Sequence, residues 1–489
     1  MTKVALVIDK RGSKFGFVLA GLLKKKYNVK LYDIHCFRKD KYFFKMKKEL
    51  DYEPLIVREE LESMVKNERI DPSYIKRLEE EYGRPYLWPY VWADRGIMSQ
   101  HIKYSASLPG PSLPHEEILK RLQVYFREIG RALDEKKPDR IIFETVGSLD
   151  TDILSELAER RKIKVLHFSF PRIRNTTLFI DNGFDQFTEV YKDFDAIRQG
   201  LRKSSFKERA QKLLLEFRKS PSRYRYYIPV RAPLLKRVFL SITYFARALK
   251  TALNRNGKRG NFLNYFKNRL VILSRKIKGF SNILEQPRAG EDFAYFPLHF
   301  EPETATMLFA PFFTNQIALI QNIAKSLPIA FKLYVKEHPD MVNRRPASYY
   351  KELKKLPNVR LINHEIDSIF LIKKSRLVLT ITGTVGWEAA MLSKPVITFG
   401  QAFYNKLSSV KSCRKPEDLP LAIKEGLESQ PTADGEMVDF ISAILENSIN
   451  FDYSYIWLAS VEEITKYEKL NELVEALARK LELLPVNEV

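Results

Sequence analysis

Cysteine is almost missing from this 489-residue chain: Cys36 and Cys413 are the only two. No disulfide framework or cysteine-rich zinc site can be built from such a pair, and a reducing compartment suits it. Long apolar runs are missing too. No stretch approaches the roughly 18 uncharged apolar residues that a spanning helix needs. The opening run from Met1 is broken at Asp9, too early for the core of a signal peptide, and reads as a first β-strand. These absences point to a soluble or peripheral protein. Acidic residues are scarce in one place only. Of the net charge of +22, the segment Leu201–Glu285 supplies +19, with 22 Lys/Arg against Glu208, Glu216 and Glu285. The other 404 residues hold 60 basic and 57 acidic side chains, +3 in all.

What is present is a repeated alternation of short apolar strands with helices, in a chain long enough for two or three domains. Near the N-terminus, strands are predicted at Val4–Asp9, Val29–Ile34, Arg140–Thr145 and Lys164–Phe170. From Asp292 the pattern resumes, with strands at Phe293–His299, Phe331–Lys336, Val359–Asn363, Leu377–Ile381 and Val396–Phe399, and helices filling the gaps. The expected α/β architecture is two doubly wound Rossmann-like domains facing a cleft, with a basic helical insertion and C-terminal helices. Its boundaries are 1–200, 201–285, 286–430 and 431–489. Everything after Pro416 reads as helical, ending in one long charged helix from about Val461 to Leu484.

In open parallel sheets, ligands sit beyond the carboxyl ends of the strands, so the residues that follow strands carry the functional argument. Lys336-Glu337-His338-Pro339 closes one strand. Proline cannot continue the ladder, so His338 is held at the sheet edge, where it and Lys336 could donate to phosphate oxygens. A surface loop with a capping histidine is the competing explanation. A second stretch, Thr382-Gly383-Thr384-Val385-Gly386-Trp387-Glu388, runs from a strand through two glycines into a helix. Glycines admit an anion to the backbone, and the helix start attracts it. Glu388 could accept from ribose hydroxyls, or simply be a favourable charge near a helix start. The two loops are expected to converge on one phosphate group.

These stretches, with Tyr295-Phe296-Pro297-Leu298-His299-Phe300-Glu301-Pro302-Glu303 before them and Lys394–Gly400 after, resemble the capsule polysaccharide biosynthesis proteins over about Phe293–Tyr404. That family includes transferases of the acidic sugar Kdo and has the two-domain GT-B fold. By the resemblance, Lys336 and His338 contact the donor phosphate, Thr382, Gly383, Thr384 and Gly386 complete that site, and Glu388 holds the ribose. His299 and Glu303 would face the interdomain cleft, with His299 on the donor side and Glu303 a catalytic candidate. The likeness also tilts the donor toward a CMP-linked acidic sugar. Tyr82–Pro85 and Ala93–Arg95 are weaker echoes of the family.

In the N-terminal half, the catalytic candidates Glu144 and Asp150 are positional, each following a strand; Asp150 is also a natural helix N-cap. The triplets Asp150-Thr151-Asp152 and Asp193-Phe194-Asp195 lack a nearby histidine or third carboxylate, so no metal or other cofactor is expected. The remaining histidines show no ligand spacing. The basic segment, with apolar stripes at Leu234–Leu249 and Phe262–Ile277, suits peripheral docking on an anionic cytoplasmic membrane face. It could instead be a solvated face packed on the core, and a nucleic-acid arm is disfavoured because no binding module adjoins it. The expectation is a metal-independent glycosyltransferase, moving a sugar from a nucleotide donor to a capsule-type polysaccharide or glycolipid. A nucleotide-sugar epimerase or polyol-phosphate transferase, and a basic membrane scaffold, are the rivals.

Overall fold

The computed structural model describes residues 1–8, 13–35, 45, 47–98, 113–144, 146–181, 183, 187–221, 270–272, 274–275 and 283–486. The predicted amphipathic stripes of the basic segment lie almost wholly outside them. The chain divides into two units. The first comprises Met1–Asp94, Leu113–Leu215 and Asp434–Val489, and the second is built on Glu216–Ala433.

The sheet of the first unit has the order β13-β6-β5-β4-β1-β2-β3. Its strands are β1 (Thr2–Ile8), β2 (Val29–His35), β3 (Glu53–Val57), β4 (Arg140–Phe143), β5 (Lys164–Ser169), β6 (Thr177–Ile180) and β13 (Ser448–Ile449). β1 to β5 pair in parallel, and β6 and β13 close one edge antiparallel. The parallel strands read as near-continuous apolar runs because both faces are covered, as Val4 to Val7 and Ile141 to Phe143 show by their burial.

In the second unit the order is β12-β11-β10-β7-β8-β9, all parallel. These strands are β7 (Phe293–Pro297), β8 (Lys332–Lys336), β9 (Val359–Ile362), β10 (Leu377–Thr380), β11 (Val396–Thr398) and β12 (Val410–Ser412). Numbered within the unit, this is the 3-2-1-4-5-6 order of a doubly wound nucleotide-binding sheet, whose direction reverses between β7 and β10. Phe296, Leu333, Val335, Leu379 and Ile397 lie in one buried cluster with Ile320 and Ile323 from the helix Gln316–Ser326.

The end of the chain differs from expectation. Ser448–Ile449 is a strand on the first sheet, and the predicted last helix is two, Val461–Thr465 and Lys469–Leu481. The break falls beside Tyr467, whose ring packs against Phe451 and Tyr455 while its hydroxyl accepts from Asp452 N. A straight helix would give up those contacts.

Candidate functional site

The reversal point of the second sheet is where loops after β7 and β10 leave in opposite directions and open a crevice. β7 leads to His299 and β10 leads to the Thr380–Thr384 bend. The two meet. His299 Nε2 lies 3.1 Å from Thr380 Oγ1, Thr382 N points at the same nitrogen from 3.5 Å, and Gly383 N donates to Thr380 Oγ1 at 3.1 Å. A Cβ on Gly383 would come within 2.8 Å of Thr380 Oγ1 and 3.0 Å of His299 Nε2, so only glycine lets the bend close on the histidine. Gly383 then caps the helix Thr384–Met391. The first N–H groups of that helix have no partner within it.

His299 is 5% exposed. Burial, with the charges of His338 and Arg345, pulls its pKa down to about 3 against the opposing bond with Gln316, so the ring is neutral at physiological pH. Its Nδ1 is buried from solvent, with the Gln316 side chain beside the ring.

β8 flanks β7 on the other side and delivers the Lys336–Pro339 corner. Lys336 is buried, and its Nζ donates to Ser368 Oγ at 2.9 Å, which in turn is 3.1 Å from Tyr295 Oη. Pro339 opens a short 3-10 turn, and His338 Nδ1 accepts from Asp340 N at 3.2 Å. The capping role weighed in the sequence is therefore real. When the ring is neutral, that bond leaves its proton on Nε2.

A residue that sequence reasoning missed joins these corners. Arg345 has no exposed side-chain surface, pairs with Glu301 and Glu337, and donates through Nη2 to His299 O at 2.6 Å. Glu337 also accepts from its neighbour His338 N at 2.6 Å and from Tyr350 Oη at 2.5 Å. Gln316 completes the set, accepting from His299 N and donating to Glu301. One guanidinium thus ties the backbones behind both histidines. Its signal in the sequence was weak, because Asn343-Arg344-Arg345-Pro346 reads as an exposed basic turn.

The other expected donor residues fall in place differently. Thr382 and Thr384 are half-buried at the bend. Gly386 has a packing reason: a Cβ there would meet Tyr404 Oη at 2.3 Å, and that hydroxyl donates to Gly383 O at 2.6 Å. It shapes the bend from behind. Glu388 is buried in the second turn of the helix. Glu303 is half-buried at the N-cap of Thr304–Phe309, its carbonyl accepting from Thr306 Oγ1.

In the first unit, Glu144 directly follows β4 and is buried, accepting from Tyr453 Oη at 2.6 Å. Asp150 is not the N-cap; Ser148 holds that position, and Asp150 is the second residue of the helix Leu149–Arg160. Burial would raise its carboxyl, but the Arg58 guanidinium, bound at both oxygens, and Ser148 Oγ hold it below the usual range. Such a paired carboxylate is a poor base. Asp152, one turn face away, is the opposite case. It is 1% exposed, accepts from Gly147 N at 2.9 Å through Oδ1, and has no partner at Oδ2 among the described residues. Burial first, then the charges of Asp94 and Asp150, push it up to about 7 despite Gly147 N–H and Arg84. Asp193, in the other triplet, is engaged by Arg202 and Asn447. No group of three or more His, Cys, Asp or Glu residues placed to hold a metal occurs among the described residues.

Residues 309–408 match the family model described as capsule polysaccharide biosynthesis protein. The resemblance read from the sequence holds over that segment. It takes in the Lys336–Pro339 corner and the β10 bend, and begins just after the β7 loop with His299. A 72-residue stretch is 32% identical to the capsule polysaccharide modification protein LipA of Neisseria meningitidis serogroup B, covering 15% of this chain and 10% of LipA. Over 120 residues the chain is 32% identical to protein FixF of Sinorhizobium fredii, covering 23% of this chain and 27% of FixF. The chain thus spans about a tenth of LipA and about a quarter of FixF. Among solved structures, KpsC of Thermosulfurimonas dismutans, a beta Kdo 2,7 transferase, aligns over 71% of this chain and 90% of its own, with 15% identity and a TM-score of 0.33.

Proposed function

We propose that this protein is a glycosyltransferase of the GT-B type that moves a sugar from a nucleotide-activated donor to a capsule-type polysaccharide or glycolipid. The second unit takes the donor and the first takes the acceptor. The observation that carries this reading is the meeting of His299 with the β10 bend at the reversal point of a doubly wound sheet, beside the His338 corner. A helix start and the neutral His299 imidazole at that point favour a departing phosphate. The capsule-family match of the segment containing the corner and the bend supports the direction toward surface glycans.

The tilt toward a CMP-linked donor rests on the family likeness alone. The basic segment serves this reading by docking the enzyme on an anionic membrane face near a lipid-linked acceptor.

Calorimetry with CMP, UDP and GDP tests the core of the proposal: one of them binds. Product analysis separates the rivals. Donor consumed only when a glycan acceptor is present marks a transferase, and donor converted without acceptor marks an epimerase. A protein that binds none of the three nucleotides is not this enzyme.

A further inference from the structure

Three of the six exposed aromatic side chains among the described residues fall within one short stretch: Tyr86 is 62% exposed, Trp88 45% and Trp92 45%. Single exposed apolar residues need no explanation, but a cluster of large rings in water marks a binding surface. Trp88 and Trp92 lie four residues apart in the helix Trp88–Ala93, so they are neighbours on its surface. Leu87, Tyr90, Val91 and Ala93 are buried on its other side. Every exposed residue from 85 to 92 is therefore proline, tyrosine or tryptophan.

The surface is held stiff. The buried Tyr90 donates through its hydroxyl to Tyr82 O at 3.0 Å, and the Arg84 guanidinium stands 4.5 Å from the centre of its ring. Glu79 Oε1 accepts from Leu87 N at 3.2 Å and fixes the turn that leads into Trp88. The Trp88 ring stacks on His115, with centres 5.9 Å apart and planes 14° from parallel. Rings fixed in advance lose little freedom when a ligand arrives.

The helix ends beside the carboxyl edge of the first sheet. Asp94, which follows it, accepts from Leu149 N at 2.9 Å, and Leu149 opens the helix after β4. β4 pairs with β1, where the order of that sheet reverses and a crevice opens. The charges on the flanking elements narrow the choice of occupant. The last turn of the helix Pro72–Tyr82 holds Glu79, Glu80 and Glu81 and no basic residue, and the first turn of His115–Lys136 holds Glu116 and Glu117. Arg84 and Arg160 are paired with Glu156. Carboxylates on both sides disfavour an anionic membrane face or an acidic sugar. An uncharged sugar ring meets no such penalty. Its C–H face lies on an aromatic ring as other apolar surface does, and its hydroxyls can accept from indole Nε1–H and tyrosine Oη–H.

We propose that Tyr86, Trp88 and Trp92 form a stacking platform for the uncharged sugar rings of a glycan chain, beside the carboxyl edge of the first sheet. This rests on the transferase reading above, and adds to its acceptor side a surface and a class of sugar.

Calorimetry of the full chain with chitohexaose, cellohexaose and maltohexaose tests it. At least one should bind wild type, and the matching monosaccharide at least about tenfold more weakly, since it covers one ring only. The double variant Trp88→Ala/Trp92→Ala should lose about tenfold or more in affinity for that hexasaccharide. W88F/W92F keeps a flat ring at each position and should retain most of the affinity. W88L/W92L is apolar without a flat face and should behave as the alanine variant does. All three should melt within about 3 °C of wild type, because the side chains are exposed, and should bind whichever of CMP, UDP and GDP binds wild type with unchanged affinity. A hexamer of sialic acid should not bind.

A wild-type protein that binds nucleotide but none of the three hexasaccharides overturns the proposal and leaves the transferase reading standing. So does equal affinity in W88A/W92A, or a leucine variant as good as the phenylalanine one, since plain apolar contact would then suffice. Preference for the sialic acid hexamer would give the surface to an acidic glycan. Binding to phosphatidylglycerol vesicles that is lost in W88A/W92A would give it to a membrane; either result overturns the proposal. If wild type binds neither nucleotide nor hexasaccharide, the transferase reading is removed and the proposal falls with it.

Discussion

Arg345 shows how much of a site can depend on a side chain with no exposed surface. Its guanidinium satisfies Glu301, Glu337 and the carbonyl of His299, and all of these are buried. Arg345→Met leaves two carboxylates buried and unpaired, which should cost about 3–5 kcal/mol in urea unfolding. The triple variant R345M/E301Q/E337Q removes the stranded charges and should recover most of that loss. A single variant as stable as wild type would contradict the network. Asp152 gives a prediction with a pH signature. Its folded-state pKa of about 7 exceeds the value of about 4 it has unfolded, so the native form holds the extra proton between them. Stability on its account therefore falls as pH climbs from about 4 to about 7. Asp152→Asn should match wild type at pH 4 and exceed it at pH 8 by a few kcal/mol, read as a shift in the urea midpoint. No difference at pH 8 would mean the carboxyl is ionised at little cost. Neither residue stood out in the sequence. Asp152 hid in a common Asp-x-Asp triplet, and Arg345 acquires its meaning only when β7 and β8 lie side by side.

At the scale of elements, the bend after β10 is held from three directions. His299 closes one side of Gly383, Tyr404 donates to its carbonyl, and Gly386 leaves room for the Tyr404 ring. Gly386→Ala forces a Cβ into that ring and should destabilise the protein by about 1–3 kcal/mol. Nucleotide affinity should fall with it, because the helix start moves. A Gly386→Ala variant with unchanged unfolding would show that the close approach to Tyr404 is not maintained in solution. The strands that position these residues were readable, since buried parallel strands announce themselves as apolar runs bounded by Gly and Pro. Pro339 and the Thr382–Gly386 stretch marked two strand ends for the same reason. The antiparallel edge was not readable. β13 has two residues, too few for any periodicity, and pairs with a strand some 270 positions earlier. The break before Lys469 was hidden because the charge pattern continues through it, while the contacts of Tyr467 that cause it are tertiary.

For the molecule as a whole, the distribution of charge is the feature that the fold explains least, since Leu201–Glu285 carries +19 of the net +22. If that segment docks on a membrane face, cosedimentation with phosphatidylglycerol vesicles should be strong at low salt and fall steeply as salt rises, with little binding to phosphatidylcholine. Indifference to lipid charge would leave the segment as a solvated basic face. The claim on which everything else depends concerns the second unit, where β7 and β10 part. A crystal structure with the bound nucleotide tests it most directly. The account predicts a phosphate oxygen within hydrogen-bond distance of the first N–H groups of the helix Thr384–Met391, at the bend that His299 closes. A nucleotide seated on another edge of the sheet would contradict it.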